Sequence, residues 1–377
     1  MKQYILKGFA FALALLMCSC LRDKLETIVI EEAFTGIPND ALASPNPSIT
    51  DINAYVPNFN AFIDYINGIP IIRIDMTGVR GQGGTDWLRL YGTSDPNQNI
   101  WVEVDDVPKG IDVYNNADNQ DDKTIMTDIV FAVDNSGSMS EEADALARDI
   151  VSWSTQLSKS GLNVRYGVVG YDGEITGAIN LTSVDALTNY LNVGSGITRT
   201  AHFDGSDAST LKSKSSSYYS RLSYECGVAA IRFANDVFSF RSGANRIYVN
   251  FTDEPNQPNY LSKWSVRFFE SQDNWPASNG AVHTVYSGDN FTNKWNQNEH
   301  PWLISDYTGG TTLTAPSDFS GVTLEGLPVT GAMENSYIIR FANVDDLLDG
   351  KTHKVHITIR SKDGTVKADK VFYIVFS

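Results

Sequence analysis

Cysteine is almost absent from this sequence, whose 377 residues include only three, Cys18, Cys20 and Cys226. Two of them fall in the N-terminal segment, so the body of the chain holds Cys226 alone. One thiol cannot form a disulfide within a chain, and hydrophobic cores must therefore stabilise the body. Cys226 stands among apolar residues of helical spacing, and we expect it to be buried and unreactive.

Basic residues are also scarce relative to acidic ones. The chain has 29 lysines and arginines against 45 aspartates and glutamates, which gives a formal net charge of −16. Nucleic acids and anionic membrane surfaces attract positively charged proteins, so this balance disfavours both as partners. An acidic excess keeps a protein soluble, and it is also compatible with binding cations.

Sequence signatures of common hydrolases are missing as well. The 5 histidines are scattered along the chain without the spacing of a metal-binding motif. Neither a G-x-S-x-G turn nor a Cys–His arrangement stands out. Catalysis therefore has no obvious general base, and we expect a protein that is not an enzyme. The histidines are His202, His283, His300, His353 and His356.

A long hydrophobic run occurs only near the N-terminus, where an apolar stretch extends from Phe9 to Met17. This stretch is too short to span a bilayer and is typical of the central region of a secretory signal. It leads into L-M-C-S-C, which resembles a bacterial lipobox with Ser19 before Cys20. We predict a signal peptide over residues 1–19 and a lipid on Cys20, which would anchor an exported protein to the bacterial outer membrane without spanning it. The alternative is a plain secretory signal with incidental cysteines.

The most informative stretch begins at residue 128 and reads D-I-V-F-A-V-D-N-S-G-S-M-S-E-E. Its β-branched apolar run, Ile129 to Val133, predicts a buried strand that ends at Asp134. Apolar residues at helical spacing follow from Glu141 to Trp153. Ser136 and Ser138 therefore share with the aspartate a polar turn at the carboxyl end of a strand, where open α/β sheets bind ligands. A carboxylate and two hydroxyls favour a hard cation such as Mg²⁺ or Mn²⁺.

The D-x-S-x-S pattern of Asp134, Ser136 and Ser138 resembles the signature of von Willebrand factor A domains. In that family the pattern opens the metal-ion-dependent adhesion site (MIDAS). The resemblance covers about residues 123–328. It implies a doubly wound α/β fold with a mostly parallel sheet.

Two further parts of the chain resemble the rest of that site. The predicted central strand from Arg246 to Phe251 (R-I-Y-V-N-F) ends in T-D-E, which is similar to the family's T-D-G and places Asp253 at the metal position. The segment S-Y-E-C-G-V-A-A-I contains Glu225 and is similar to the corresponding segment of integrin β-subunit domains, although Tyr224 stands where those domains have proline. A glutamate that only stabilises the first turn of a helix is the alternative for Glu225.

The resemblance also implies a role for each of these side chains. Ser136 and Ser138 would coordinate the cation directly, and Glu225 would be a direct or water-mediated ligand. Asp134 and Asp253 would bind it directly or through water.

An adjacent second metal is a separate question. Glu141 and Glu142 stand where integrin β-subunits carry such a site. Acidic residues are common in the first turn of a helix for electrostatic reasons alone, and that is the alternative for this pair.

The regions on either side of the predicted α/β domain have strand patterns. Residues 61–122 and 329–377 contain short apolar runs separated by turns, and neither set is sufficient for a stable fold by itself. We expect the two to combine into one β-sandwich into which the α/β domain is inserted. Residues 20–60, rich in proline and small polar residues, are expected to be a tether. Among the individual elements, we predict a strand over Trp87–Tyr91 and a helix over Thr292–Asp306.

The function that follows is metal-dependent binding. A Mg²⁺ or Mn²⁺ ion would capture an acidic group of a protein or glycan partner, as the resemblance implies for an adhesion protein. A structural subunit of a surface fibre or envelope complex is the first alternative. A metal-dependent hydrolase is the second.

Overall fold

The computed structural model describes residues 35–82, 84–118, 125–139, 143–159, 163–191, 203–206, 209–219, 225–287, 297–316 and 327–376. The predicted signal peptide, Cys20, Glu141 and Glu142 lie outside these residues. Within the described part, no helix combines the length and the apolar character needed to cross a membrane.

The described residues form strands and helices that alternate in the middle of the chain. The strands are β1 (Phe59–Ile66), β2 (Ile69–Met76), β3 (Ile100–Val104), β4 (Val107–Pro108), β5 (Ile111–Asn115), β6 (Met126–Asp134), β7 (Asn163–Tyr171), β8 (Ile175–Thr182), β9 (Gly205–Ser206), β10 (Asn245–Thr252), β11 (Ala281–Ser287), β12 (Thr312–Ala315), β13 (Tyr337–Phe341), β14 (His353–Arg360) and β15 (Lys367–Ile374). The helices are α1 (Ala143–Lys159), α2 (Val184–Leu191), α3 (Ser209–Tyr218), α4 (Gly227–Val237), α5 (Trp302–Thr308) and α6 (Pro328–Glu334).

A 7-stranded sheet occupies the centre of the fold, in the order β12-β11-β10-β6-β7-β8-β9. Its neighbouring strands run parallel except for β7 and β8, which pair antiparallel. The protein is therefore a mixed α/β protein with a mostly parallel sheet, as its sequence predicts. The order also places β6 and β10 side by side.

Helices cover both faces of this sheet. Ile129, Phe131 and Val133 of β6 pack with α1, α2 and α6 in one hydrophobic core. Val130 and Ala132, which point the other way, pack with α3, α4 and α5 in a second core. Successive residues of a strand face opposite sides, so a strand covered on both sides must be apolar throughout. That is why residues Ile129 to Val133 of β6 form a continuous apolar run.

Two separate antiparallel sheets complete the fold. One has the order β1-β2-β13-β5 and the other β15-β14-β3-β4. β13, which comes from the C-terminal region, pairs with β2 on one side and β5 on the other. β14, from the same region, pairs with β3. Side chains of both sheets, including Ile74, Val102, Ile339 and Ile357, meet in one hydrophobic core. Strands from the two ends of the chain thus depend on each other for pairing.

The strand predicted over Trp87–Tyr91 is wrong, because residues 84–92 have no regular strand structure. Side chains satisfy the backbone here instead of a neighbouring strand. Asn115 accepts a hydrogen bond from Leu90 N and donates one to Leu90 O, both at 2.9 Å. Asn99 accepts from Tyr91 N at 2.8 Å. Amide side chains can replace a strand partner in this way, and an apolar pattern does not reveal it.

The helix predicted over Thr292–Asp306 is also wrong in part. The described portion is a 3₁₀ turn at Gln297–Glu299 followed by α5, which begins at Trp302. Pro301 precedes the helix, and proline is compatible with a helix start but not with its interior. Gly309, at φ 73°, ends it.

The predicted tether over residues 20–60 needs a correction for its described part, which is attached to the fold. Ile37, Ala54 and Val56 are buried. The Asn46 side chain donates to His356 O at 3.1 Å, and Asn53 N donates to Lys367 O at 3.0 Å. Polar and proline-rich composition indicated flexibility, but Asn46 and Asn53 hydrogen-bond this segment to β14 and β15.

The boundary predicted near residue 328 also lies elsewhere in the structure. Helix α6 follows it, yet Val329 and Met333 belong to the α/β core. The indole of Trp153 on α1 donates to Thr330 Oγ1 at 2.8 Å. The α/β unit therefore extends to the end of α6.

Candidate metal site

The site lies where the two central strands end. β6 and β10 are parallel neighbours, and their register aligns Val133 with Phe251. Asp134 and Asp253 follow these positions at the carboxyl edge of the sheet. Neighbouring parallel strands that stop at one level necessarily bring the residues after them together.

The turn after β6 aims two hydroxyls at the same place. Ser136 N donates to Asp134 Oδ1 at 3.0 Å, which tightens the turn. A 3₁₀ turn at Gly137–Met139 follows and turns the next serine towards the first, so that the two Oγ atoms lie 2.9 Å apart. Ser138 Oγ then donates to Asp253 Oδ1 at 3.2 Å. The turn after β6 and the turn after β10 thus meet through direct contacts.

Thr252, the last residue of β10, holds the buried aspartate. Its hydroxyl donates to Asp134 Oδ2 at 2.8 Å. Asp134 is 1% exposed, so each of its oxygens needs such a donor. The sequence pattern T-D-E includes this threonine but does not indicate which aspartate it contacts.

Glu225 joins the two aspartates from the segment immediately before α4. Oxygens of Asp134, Glu225 and Asp253 lie within 4.8 Å of one another. The Oε2 atom of Glu225 is buried and has no hydrogen-bond partner among the described residues. A buried carboxylate oxygen without a donor is costly, and a cation would satisfy it.

The crowding of negative charge is visible in the pKa values. Burial raises the pKa of Asp134, and Asp253 adds to the rise, whereas hydrogen bonds from Thr252 and Ser136 oppose it. Burial is also the first cause that raises the pKa of Glu225, followed by the charges of Asp134, Glu254 and Asp253. Like charges held together in a buried place disfavour ionisation, and a divalent cation would reverse this effect.

The donor set fits an oxygen-preferring divalent cation. It consists of carboxylates from Asp134, Glu225 and Asp253 with hydroxyls from Ser136 and Ser138, which are hard ligands. All five predicted residues are described and converge on this edge. The predicted second site at Glu141 and Glu142 lies outside the described residues.

Sequence reasoning missed the residues that support this cluster. Asn256, Gln257 and Glu299 hydrogen-bond around it, as detailed below. Their contacts span up to 43 residues of sequence, and no local pattern indicates them.

Comparisons with known proteins give partial structural likenesses only. No family model matches the chain, and no curated protein sequence matches it. Proximal thread matrix protein 1 from the mussel byssus, solved with a zinc-occupied MIDAS motif, is 13% identical over 60% of this chain and 49% of its own, at a TM-score of 0.39. The pilus adhesin SpaC from Lactobacillus rhamnosus GG is 12% identical over 88% of this chain and 55% of its own, at a TM-score of 0.34. The PilB minor pilin from Streptococcus sanguinis is 10% identical over 69% and 75%, at a TM-score of 0.30.

This chain spans about half the length of the first structures that it matches. The TM-scores are too low to transfer any activity or partner.

Proposed function

We propose that this chain is an exported binding protein of the von Willebrand factor A type, which uses a divalent cation to hold an acidic partner. Asp134, Ser136, Ser138, Glu225 and Asp253 would hold the ion. The observation that carries the proposal is the buried, unpaired Oε2 atom of Glu225, placed within 4.8 Å of two other carboxylates.

Mg²⁺ and Mn²⁺ are the ions that this donor set favours. The set contains oxygen atoms only, and Mg²⁺ prefers oxygen ligands and keeps exchangeable positions for a carboxylate from outside. The residues themselves prepare the site. Thr252 and Ser136 orient Asp134, and Ser138 orients Asp253.

The loop after Asp253 supplies a contact surface for a partner. Tyr260 is 100% exposed, and both Asn259 and Tyr260 have left-handed backbone angles, at φ 46° and 62°. This conformation costs about 1 kcal/mol or more per non-glycine residue. Exposed tyrosines are frequent among residues that dominate binding energy. A protein or glycan that presents a carboxylate is the proposed partner.

The remaining parts of the chain provide a support for this site. We take the two antiparallel sheets to be the β-sandwich into which the α/β unit is inserted. A signal peptide over residues 1–19 and a lipid on Cys20 would anchor the protein to the bacterial outer membrane.

The alternative of a structural subunit requires a free strand edge for assembly. β15 pairs with β14, and the Gln272 side chain donates to Val371 O at 2.7 Å and accepts from Tyr373 N at 3.1 Å. This edge of β15 is therefore partly satisfied within the chain, which favours binding over assembly. For the hydrolase alternative, the three carboxylates of the cluster are all assigned here as ligands of the cation, so none of them is left to act as the general base that a hydrolase needs.

Calorimetric titration of the purified protein with Mg²⁺, Mn²⁺ and Ca²⁺ tests the proposal directly, alongside melting in EDTA. A metal that binds only the folded state raises the melting midpoint by mass action. We expect Mg²⁺ or Mn²⁺ to bind the wild type and to fail with Asp253→Asn. Asp306→Asn is the matched control, because Asp306 is a half-buried carboxylate that contacts Tyr55 instead. Absence of metal binding at millimolar concentration would refute the proposal.

A further inference from the structure

The segment after Asp253 is bonded directly to the segment that carries Glu225. Gln257 N donates to the backbone oxygen of Glu225 at 2.8 Å. The Gln257 side chain donates through Nε2 to Glu254 Oε2 at 3.0 Å. Gln257 thus contacts both the backbone of the candidate ligand Glu225 and the side chain of Glu254, which is next to the candidate ligand Asp253.

Asn256 makes a second connection between the same two segments. Cys226 occupies the N-cap position of α4, but its side chain makes no capping bond. The Oδ1 atom of Asn256 accepts from Val228 N at 3.2 Å instead. Asparagine is among the best N-cap residues, and here it performs this task from another part of the chain.

Glu299 fixes the orientation of Asn256. Asn256 Nδ2 donates to Glu299 Oε2 and to Trp264 O, each at 2.9 Å. The Glu299 carboxylate also accepts from Ser265 Oγ and Val266 N. Glu299 is 5% exposed and Asn256 6% exposed, so water does not compete for these bonds.

Glu225 needs such a restraint. It precedes the helix, so no helical hydrogen bond of its own N–H fixes it, and the charges of Asp134, Glu254 and Asp253 all oppose its ionised form. Repulsion of this kind drives carboxylates apart unless the backbone is held. A binding site whose ligands are held in place before binding loses less free energy on binding.

We infer that Asn256, oriented by Glu299, and Gln257 are positioning residues that hold Glu225 beside Asp253 and so determine the affinity of the cation site. This inference rests on the proposed function. Residues that orient metal ligands typically change metal affinity by about 10–100-fold when they are replaced. Asn256, Gln257 and Glu299 act on the backbone of Glu225 and on the N-cap of α4, and none of them would touch the ion.

The test measures the dissociation constant for Mn²⁺ and the melting midpoint in EDTA for the same full-chain variants. Asn256→Ala and Gln257→Ala are expected to weaken Mn²⁺ binding, the former by about 10–100-fold. Gln257→Ala retains the backbone hydrogen bond to Glu225, so we expect a smaller loss of Mn²⁺ affinity and a folded protein. Asn58→Ala is the matched control, because Asn58 is also a buried asparagine but donates to Gly280 O. It should lower the melting midpoint and leave Mn²⁺ affinity unchanged.

A double variant separates positioning from general stability. Asn256→Asp keeps the acceptor for Val228 N but places the new carboxylate against that of Glu299, so Mn²⁺ affinity should fall. Adding Glu299→Gln exchanges donor and acceptor across the pair, and part of the lost affinity should return. If the wild type binds Mn²⁺ while Asn256→Ala and Gln257→Ala both stay within about twofold of it, the inference is overturned and the proposed function stands. If the wild type binds neither Mn²⁺ nor Mg²⁺ at millimolar concentration, both are overturned.

Discussion

Ser138 Oγ lies 3.2 Å from Asp253 Oδ1, although 115 residues separate the two in sequence. The contact joins the turn after β6 to the turn after β10, and these strands are neighbours in the central sheet. It brings together two patterns that the sequence shows only separately.

Replacing the hydroxyl of this pair should affect metal binding more than folding. Ser138→Ala removes one proposed ligand and the bond to Asp253, while Ser136 keeps the turn through its contact with Asp134. We expect Mn²⁺ affinity to fall by about tenfold or more, which corresponds to about 1.4 kcal/mol. Titration calorimetry measures this. An unchanged affinity would remove Ser138 from the ligand set.

Glu225→Gln should have opposite effects on the metal-free and metal-bound protein. The pKa of Glu225 is raised in the folded state, so its stabilising contribution is present below the unfolded value and is lost as pH rises through the raised value. At neutral pH and above, the neutral glutamine avoids this loss. The variant should therefore melt higher than the wild type in EDTA, and it should respond less to Mg²⁺. A lower midpoint in EDTA would contradict the electrostatic account of the site.

Lys370 should give the fold a distinct pH dependence. Burial lowers the pKa of Lys370 to about 8. Its Nζ donates to Asn58 Oδ1 and Tyr307 O, both at 3.1 Å. The unfolded chain binds more protons than the folded one between pH 8 and the ordinary lysine value of about 10.4, so stability should rise across this window.

The matched variant for this effect is Lys370→Met, which removes the titrating amine. Between pH 8 and about 10.4, the unfolding free energy of the wild type should rise by about 3 kcal/mol more than that of the variant. Urea unfolding at several pH values measures it. If the unfolding free energies of the two proteins change in parallel with pH, the Lys370 amine does not control the pH dependence.

Asn115 should be important for the irregular segment before β3. Its side chain satisfies both the N–H and the carbonyl of Leu90, a residue that is 1% exposed. Asn115→Ala leaves both groups buried without partners, at a cost of about 2–4 kcal/mol in unfolding free energy. Asn97→Ala, at an exposed position, should change it by less than about 0.5 kcal/mol. Equal effects for the two variants would argue against the role given to Asn115.

The lipid anchor has its own test. Cys20→Ser removes the only thiol that the proposed lipidation can use. We expect the wild-type protein to enter the detergent-rich phase of a detergent partition and the variant to remain in the aqueous phase. Equal partitioning would favour the plain secretory signal.

The sequence by itself determined the centre of the α/β unit and the proposed ligands. Ile129–Val133 is apolar throughout and Arg246–Phe251 is mostly apolar because both faces of their strands are covered, and a local pattern reports this directly. Asp134, Ser136 and Ser138 follow the first run within one turn. Their convergence with Asp253 follows from the rule that parallel strands end at a common edge.

Only the tertiary structure decided what surrounds and supports that centre. The approach of Glu225, its restraint by Asn256 and Gln257, and the pairing of β13 between β2 and β5 all join residues distant in sequence. Some of the contacts depend on which side-chain amides replace backbone partners, as Asn256 does for Val228 and Asn115 does for Leu90. Amide side chains can donate or accept in any direction, so hydrophobic periodicity contains no record of where they bind.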